Sequence, residues 1–248
     1  MTFKALLEKR SIEAWEIYLP HLSIDCVVFG FHEGALKVLL LKMKESDSWG
    51  LPGGYILKDE NLKIAANRIL EARTGATNIY LQQFRVFGET HRSEAAFDYL
   101  PDDSFFKQRF ISIGFYALVD FTEVEPVVDE LSTDCGWRDI NRLPELMMDH
   151  QFIFDKALET LRKQLIHKPI GYNLLPEKFT MPELQRLYEI ILDKKLNRGN
   201  FYRKILRYDI LIKLDETRKG GAHKAPDLYS FDQEKYKAAL KNGLNEIW

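Results

Sequence analysis

The feature that most constrains this chain is a set of small and charged residues at fixed separations between positions 49 and 76. Trp49-Gly50-Leu51-Pro52-Gly53-Gly54 reads as a Gly/Pro loop, because glycine and proline punctuate regular structure. Residues 62–73 have helical composition and end at Gly75, which tolerates the left-handed conformation that stops a helix. Glu60 and Arg68 stand at the helix entrance and in its second half. Any fold for this chain must accommodate that loop running straight into a short helix.

Gly54-x5-Glu60-x7-Arg68, ending in Gly75-Ala76, resembles the Nudix box, whose family pattern is G-x5-E-x7-R-E-U-x-E-E-x-G-U with U apolar. Residues 49–54 resemble the loop that precedes it. The resemblance implies a loop-helix-loop that, in the family, binds Mg²⁺ against a diphosphate. Three glutamates of the pattern fall here on Ile69, Ala72 and Arg73. Their i, i+3, i+4 spacing puts them on one helix face. Clustered carboxylates there are what a hard divalent cation requires. The substitutions take the formal charge of that face from -3 to +1. At an effective dielectric near 20, each unit charge about 4 Å away is worth about 4 kcal/mol. Glu71 lies about 100° off the face, and Glu60 cannot assemble a site alone. The expectation is a scaffold of Gly53, Gly54, Glu60, Arg68 and Gly75 without catalytic residues, metal or cofactor, with Arg68 bracing the loop. The chain is therefore expected not to be an enzyme.

The 248 residues, 46% of them hydrophobic, can bury a substantial core and leave room for two domains. A net charge of -2 argues against a general polyelectrolyte binder but allows a local basic patch. Cys26 and Cys135 sit among apolar or aromatic neighbours and read as buried free thiols of a reducing compartment. Charges at Lys4, Glu8, Lys9 and Arg10 interrupt the N-terminus, and no apolar stretch approaches the roughly 20 residues that cross a bilayer. The expected location is the cytoplasm, without membrane contact.

Residues 2–18 read as a helix or arm, 23–31 as a strand, and 36–42 as its hairpin partner across Glu33-Gly34. Residues 80–89 and 110–121 read as strands around a polar loop at 90–108. Trp137 with Leu143-Pro144-Glu145-Leu146 reads as a turn, and 155–166 as a closing helix. The pattern is α+β, and the resemblance implies a mixed-sheet α/β/α sandwich of the Nudix type. The expected domains are an N-terminal helix or arm (1–20), a degenerate Nudix ligand-sensing domain (21–168) and a C-terminal domain (169–248).

In that last part, Thr180-Met181-Pro182-Glu183 is a helix start, with Thr180 at the N-cap and Glu183 closing a capping box. Leu184, Leu187, Tyr188 and Ile191 share one face. A turn at 197–200, a short helix at 201–208, and strands at 210–214 and 228–231 around a basic hairpin complete a winged helix-turn-helix pattern. The candidate DNA contacts are Thr180, Arg198, Asn200, Arg203, Lys204, Arg207, Lys213, Arg218, Lys219, His223 and Lys224, the last five around the hairpin's Gly220-Gly221. Asp209, Asp215, Glu216 and Asp227 among them leave a solvated charged face as the alternative.

A Nudix-like domain followed by residues 177–189 and Arg198-x-Asn200-Phe201-x-Arg203-Lys204 resembles the Nudix-related transcriptional regulators, over roughly residues 20 to 232. The resemblance implies a homodimer that binds a palindromic double-stranded DNA operator and responds to a small metabolite. One branch of that family senses ADP-ribose and controls NAD metabolism. Another, with decayed boxes, senses L-arabinose. The decayed box and an insertion at 95–105 place this chain nearer the second. A repressor of sugar catabolism is thus the first expectation, an ADP-ribose-sensing regulator the second. A pyrophosphatase with relocated carboxylates (Glu60, Glu71, Glu89) and a protein-interaction module using the basic tail are further alternatives. Tyr55, Glu89, Arg92, Asp98 and Arg109 are the candidate ligand contacts. A sugar calls for paired carboxylate and guanidinium groups over an aromatic face, because hydroxyls need donors and acceptors together.

Overall fold

The computed structural model describes residues 2–75, 79–169, 171–218 and 225–242. The chain packs as two units, Met1–Gly30 with Lys37–Ala157, and Phe31–Leu36 with Leu158–Trp248. Among the described residues, no helix is long and apolar enough to cross a membrane.

The chain up to the end of α3 runs α1 (Phe3–Ile17), β1 (Tyr18–His32), β2 (Ala35–Met43), β3 (Trp49–Gly50), β4 (Gly53–Leu57), α2 (Leu62–Thr74), β5 (Tyr80–Phe87), β6 (Ile111–Val119), β7 (Ser132–Asp139) and α3 (His150–His167), all of it in the first unit except residues 31–36 of the β1–β2 hairpin and α3 from Leu158 on. The strands form one mixed sheet in the order β3-β2-β1-β6-β5, with β4 on β1 and β7 on β2. β1 runs parallel to β6, while the β4, β3, β7 and β5 pairings are antiparallel. Cys26 to Gly30 are buried without interruption, as both faces of a central strand require. Alternation then sorts the side chains. Ile24, Cys26 and Val28 pack with Ala65, Ile69 and Leu70 of α2, whereas Phe29 meets Phe154 of α3 at 6.1 Å. Asp25, between Ile24 and Cys26, belongs to the α3 side. The two layers of helix make the expected α/β/α sandwich. Both cysteines are buried free thiols.

Four local expectations are corrected. Residues 49–55 are not a loop but hold β3 and the start of β4, joined by Leu51-Pro52. The glycines are there because a Cβ at Gly53 would lie 2.8 Å from the Ile24 carbonyl, so they mark close backbone approach rather than a turn. Trp137 lies in β7, not in a turn; the strand is polar in sequence and owes its form to pairing with β2. The polar loop at 90–108 has 3₁₀ turns at Glu94–Phe97 and Phe105–Lys107. It buries Leu100, Phe105 and Phe106 against Leu7 and Ala14 of α1. For the same reason α1 is no free arm. Trp15 stacks edge-on against Phe105 at 5.2 Å, and Ser11 Oγ accepts the Phe105 N–H at 2.8 Å.

The second unit carries the winged-helix pattern: β8 (Phe179–Thr180), α4 (Met181–Leu192), α5 (Arg198–Arg207), β9 (Leu211–Thr217), β10 (Asp227–Phe231) and α6 (Gln233–Asn242). Its sheet has the order β8-β10-β9, antiparallel throughout. Phe231 packs on Phe179 at 4.9 Å and on Tyr236 at 5.1 Å, and Tyr188 on Phe201 at 5.3 Å. Asn197 caps α5, so residues 198–200 are its first turn rather than a free one. β8 and α6 were not expected from the sequence.

Candidate functional site

The box loop is held by an ion pair. Arg68 donates through Nε to Glu60 Oε2 at 3.0 Å and through Nη2 to Glu60 Oε1 and the Tyr55 carbonyl at 2.5 and 2.8 Å. Glu60 Oε1 also accepts the Leu57 N–H at 2.8 Å. The Arg68 hydrogen bonds, helped by Leu57, hold the Glu60 carboxyl below its ordinary value in spite of burial. Both residues are therefore structural braces.

The old metal face has a different content. Ile69 is buried and packs against Gly54, where an added Cβ would lie 3.1 Å from it. Ala72 is exposed. Arg73 donates to Asp129 Oδ2 at 2.5 Å. Asp129 thus offsets the positive charge that Arg73 brings to this face. Burial works to raise the Asp129 carboxyl, but Arg73 and the Ser132 hydroxyl together hold it below its ordinary value. An apolar side chain, a methyl and a committed ion pair do not fit a divalent cation.

Beside this face lies a cavity of about 180 Å³. Phe3 and Leu7 of α1, with Phe97 and Phe106 of the 90–108 segment, supply apolar wall, together with Tyr55 and Phe110. Its polar side is built on Asp25, Arg92 and His150. Arg92 is fixed by Asp149 through Nε (2.9 Å) and Nη2 (2.8 Å), and by Asp25 Oδ2 through Nη2 (3.3 Å). Only 4% of the Arg92 side chain is exposed. Burial works against its charge, yet Asp149 and Asp25 hold its pKa above the ordinary guanidinium value. Ser112 Oγ donates to Asp25 Oδ2 at 2.5 Å. His150 Nδ1 accepts the Leu51 N–H at 2.9 Å. A backbone N–H can only donate, so Nδ1 carries no proton and the hydrogen of the neutral ring is on Nε2. Burial, chiefly, pushes His150 below its ordinary pKa, in keeping with that neutral form. Burial and then the Asp25 charge raise the Tyr55 hydroxyl, which stays protonated. His91 and Met148, each next to a member of the Arg92–Asp149 pair, have φ of 59° and 51°. A left-handed methionine is costly and tends to mark places where function holds the backbone.

Of the five ligand contacts expected from sequence, the cavity brings together Tyr55 and Arg92. Glu89, Asp98 and Arg109 are exposed and do not line it. Arg109 instead ties down the chain by donating to the Gly88 carbonyl at 2.8 Å. Sequence reasoning missed Asp25, Asp149 and His150. Asp25 did leave a signal, as a lone charge inside the apolar run 24–30.

In the second unit, Thr180 is buried, and its N–H and hydroxyl both engage Glu183. Its side chain is committed to capping α4. Arg198, Asn200, Arg203, Lys204 and Arg207 are exposed on α5. Arg203 donates to Asn200 Oδ1 at 2.6 Å, and Lys204 Nζ lies 5.9 Å from the Tyr208 ring centre. Off that helix, Lys213 pairs with Asp227 (2.8 Å) and Arg218 with Glu183 (2.9 Å). Lys219, His223 and Lys224 lie outside the described residues. Among the described candidates, Arg198, Arg203, Lys204 and Arg207 are the exposed cations that share α5.

Residues 19–157 match the family model described as NUDIX domain, and residues 171–231 that described as NrtR DNA-binding winged helix domain. The chain is 25% identical over 224 residues to the ADPR responsive transcriptional repressor NtrR of Acinetobacter baylyi, covering 88% of this chain and 84% of that protein. Among solved structures it is similar to Shewanella oneidensis NrtR, at 26% identity and a TM-score of 0.71, over 87% of this chain and 96% of that one. The same protein complexed with a 27mer DNA gives 25% identity and a TM-score of 0.71, over 87% and 95%. A MutT/nudix family protein from Enterococcus faecalis shares the fold at 17% identity, with a TM-score of 0.66 over 93% and 96%.

Proposed function

The chain belongs to the NUDIX domain family and carries a winged-helix domain of the NrtR type after it; from that premise we propose that it is a ligand-responsive, DNA-binding transcriptional repressor. The observation that carries this reading is the content of the box: the brace Glu60–Arg68 is kept while Ile69, Ala72 and the Arg73–Asp129 pair occupy the metal face. Such a domain can hold a metabolite without hydrolysing it. Beside a winged helix with Arg198, Asn200, Arg203, Lys204 and Arg207 exposed on α5, it is suited to report that metabolite to DNA. The named repressor activity of the Acinetobacter relative and the DNA complex of the Shewanella one support this. In this reading the protein is a cytoplasmic homodimer whose two α5 helices read the half-sites of a palindromic operator. Ligand shifts the population toward an arrangement that no longer fits them.

The effector we favour is a neutral sugar such as L-arabinose, and the regulated process sugar catabolism. The cavity's about 180 Å³ is below the roughly 300–1,000 Å³ of larger ligand sites. Its guanidiniums, Arg73 and Arg92, are each committed to carboxylates, which leaves little charge for a diphosphate. Carboxylate, guanidinium and imidazole groups opposite Tyr55, Phe106 and Phe110 suit hydroxyls over an aromatic surface. ADP-ribose is the second reading, favoured by the responsiveness for which the Acinetobacter relative is named.

The test is selection of randomised duplexes on the full chain, followed by gel shift. A palindromic site is expected, with the complex released by a pentose, a hexose or ADP-ribose. Absence of any sequence-specific complex at moderate salt, or Mg²⁺-dependent release of AMP from ADP-ribose, would contradict the proposal.

A further inference from the structure

Two polar atoms on the cavity wall face each other without meeting. Asp25 Oδ2 is fully engaged by Ser112 and Arg92, but among the described residues Oδ1 accepts no hydrogen bond. His150 Nδ1 is engaged by Leu51, but among the described residues Nε2, which bears the proton, donates none. Oδ1 and Nε2 are 3.7 Å apart, too far for a direct hydrogen bond. Both side chains are about nine-tenths buried, at 12% and 8% exposure, and both residues line the cavity. The result is a fixed acceptor beside a fixed donor, each held in orientation by its other end.

We propose that one hydroxyl group of the effector sits between these atoms, donating to Asp25 Oδ1 and accepting from His150 Nε2, and that this pair sets the cavity's specificity. The proposal rests on the reading of this cavity as the effector site. A hydroxyl oxygen about 2.7 Å from a carboxylate oxygen and about 2.9 Å from a ring nitrogen closes a triangle on a 3.7 Å base. Among simple groups a hydroxyl both donates and accepts at one atom; an ammonium cannot accept, and an ether or carbonyl cannot donate. Gly53 keeps the place open, since a Cβ there would stand 2.9 Å from Asp25 Oδ1. A ligand lacking the hydroxyl leaves a buried carboxylate oxygen and a buried N–H unpaired, at a cost of roughly 10- to 100-fold in affinity.

The test pairs ligand and protein changes. L-arabinose, D-xylose, D-ribose, D-galactose and ADP-ribose are screened by thermal shift on the full chain. Dissociation constants of the most stabilising one and its monodeoxy derivatives are then measured by calorimetry. The wild type should bind one derivative at least tenfold more weakly than the parent. His150→Asn keeps an oxygen where Nδ1 stands, preserving the Leu51 contact, and removes the Nε2 donor. The gap between that derivative and the parent should shrink severalfold, because one of the hydroxyl's two partners is gone while Asp25 still accepts from it. Asp25→Asn, with its amide oxygen toward Arg92 and Ser112 and its nitrogen toward the cavity, should behave alike, which covers the case where the first variant does not fold. Derivatives all bound like the parent, or a deoxy penalty undiminished in the variants, would overturn the hydroxyl assignment and leave the cavity reading standing. No stabilisation by any of the five compounds would overturn both.

Discussion

Arg92 is enclosed by Asp25 and Asp149 with 4% of its side chain exposed, and that sets what its loss costs. Removing one partner of a buried ion pair leaves charge uncompensated, so Arg92→Met should destabilise the domain by about 3–5 kcal/mol. Arg68→Met removes a guanidinium that is 39% exposed, and should cost clearly less. Urea unfolding of the two variants checks the order; equal losses would mean the cluster is not tightly coupled. His150 gives a pH signature. Its folded pKa is lowered, mainly by burial, so the folded state binds fewer protons than the unfolded chain. Its stabilising effect is complete above the unfolded histidine value of about 6.5 and is lost as pH falls from there through the folded pKa. Midpoints measured from pH 7.5 to 5.5 should decline for the wild type and decline less for His150→Asn. At this scale the sequence was only partly legible. Tyr55 and Arg92 could be nominated from the strands beside the box. Asp149 and His150 could not, because what gives them a role is a fold that brings the start of α3 to β1.

The elements that announced themselves are those whose ends are fixed by local chemistry. Thr180-Met181-Pro182-Glu183 starts α4 with a full capping box, and Gly75 ends α2 at φ 65°. Those ends make a sharp prediction. Among the described residues nothing lies within 4 Å of a Cβ added at Gly75, so Gly75→Ala should cost only the left-handed backbone penalty, about 1–2 kcal/mol. Thr180→Val should cost about 1 kcal/mol through the lost cap. Thermal unfolding reads both, and a much larger loss at Gly75 would point to contacts beyond the helix end. The elements that stayed hidden take their form from partners distant in the chain. β7 is polar and stands only on β2, β8 is two residues long, and β4 opens with two glycines that look like a turn until β1 is beside them. The 90–108 segment shows its aromatics in sequence but not that α1 would bury them.

For the whole molecule, the order of a decayed Nudix box and a winged-helix pattern was readable from the motifs and the families they resemble, and both domain types are present. What could not be read was the content of the cavity, assembled from α1, β1, β4, the 90–108 segment and the start of α3. Among the candidate DNA contacts, Thr180 is buried, Lys213 and Arg218 are paired with carboxylates, and Arg198, Asn200, Arg203, Lys204 and Arg207 are exposed on α5. If those residues meet phosphates, Arg203→Ala should weaken operator binding and lower its salt dependence by about one ion. The central claim is that occupancy of the Nudix cavity controls DNA binding. The direct measurement is the operator dissociation constant of the full chain, by fluorescence anisotropy, with and without a saturating concentration of the sugar or ADP-ribose that stabilises it. Binding at least tenfold weaker is expected with the ligand present. An operator affinity unchanged by a ligand that demonstrably occupies the cavity would contradict it.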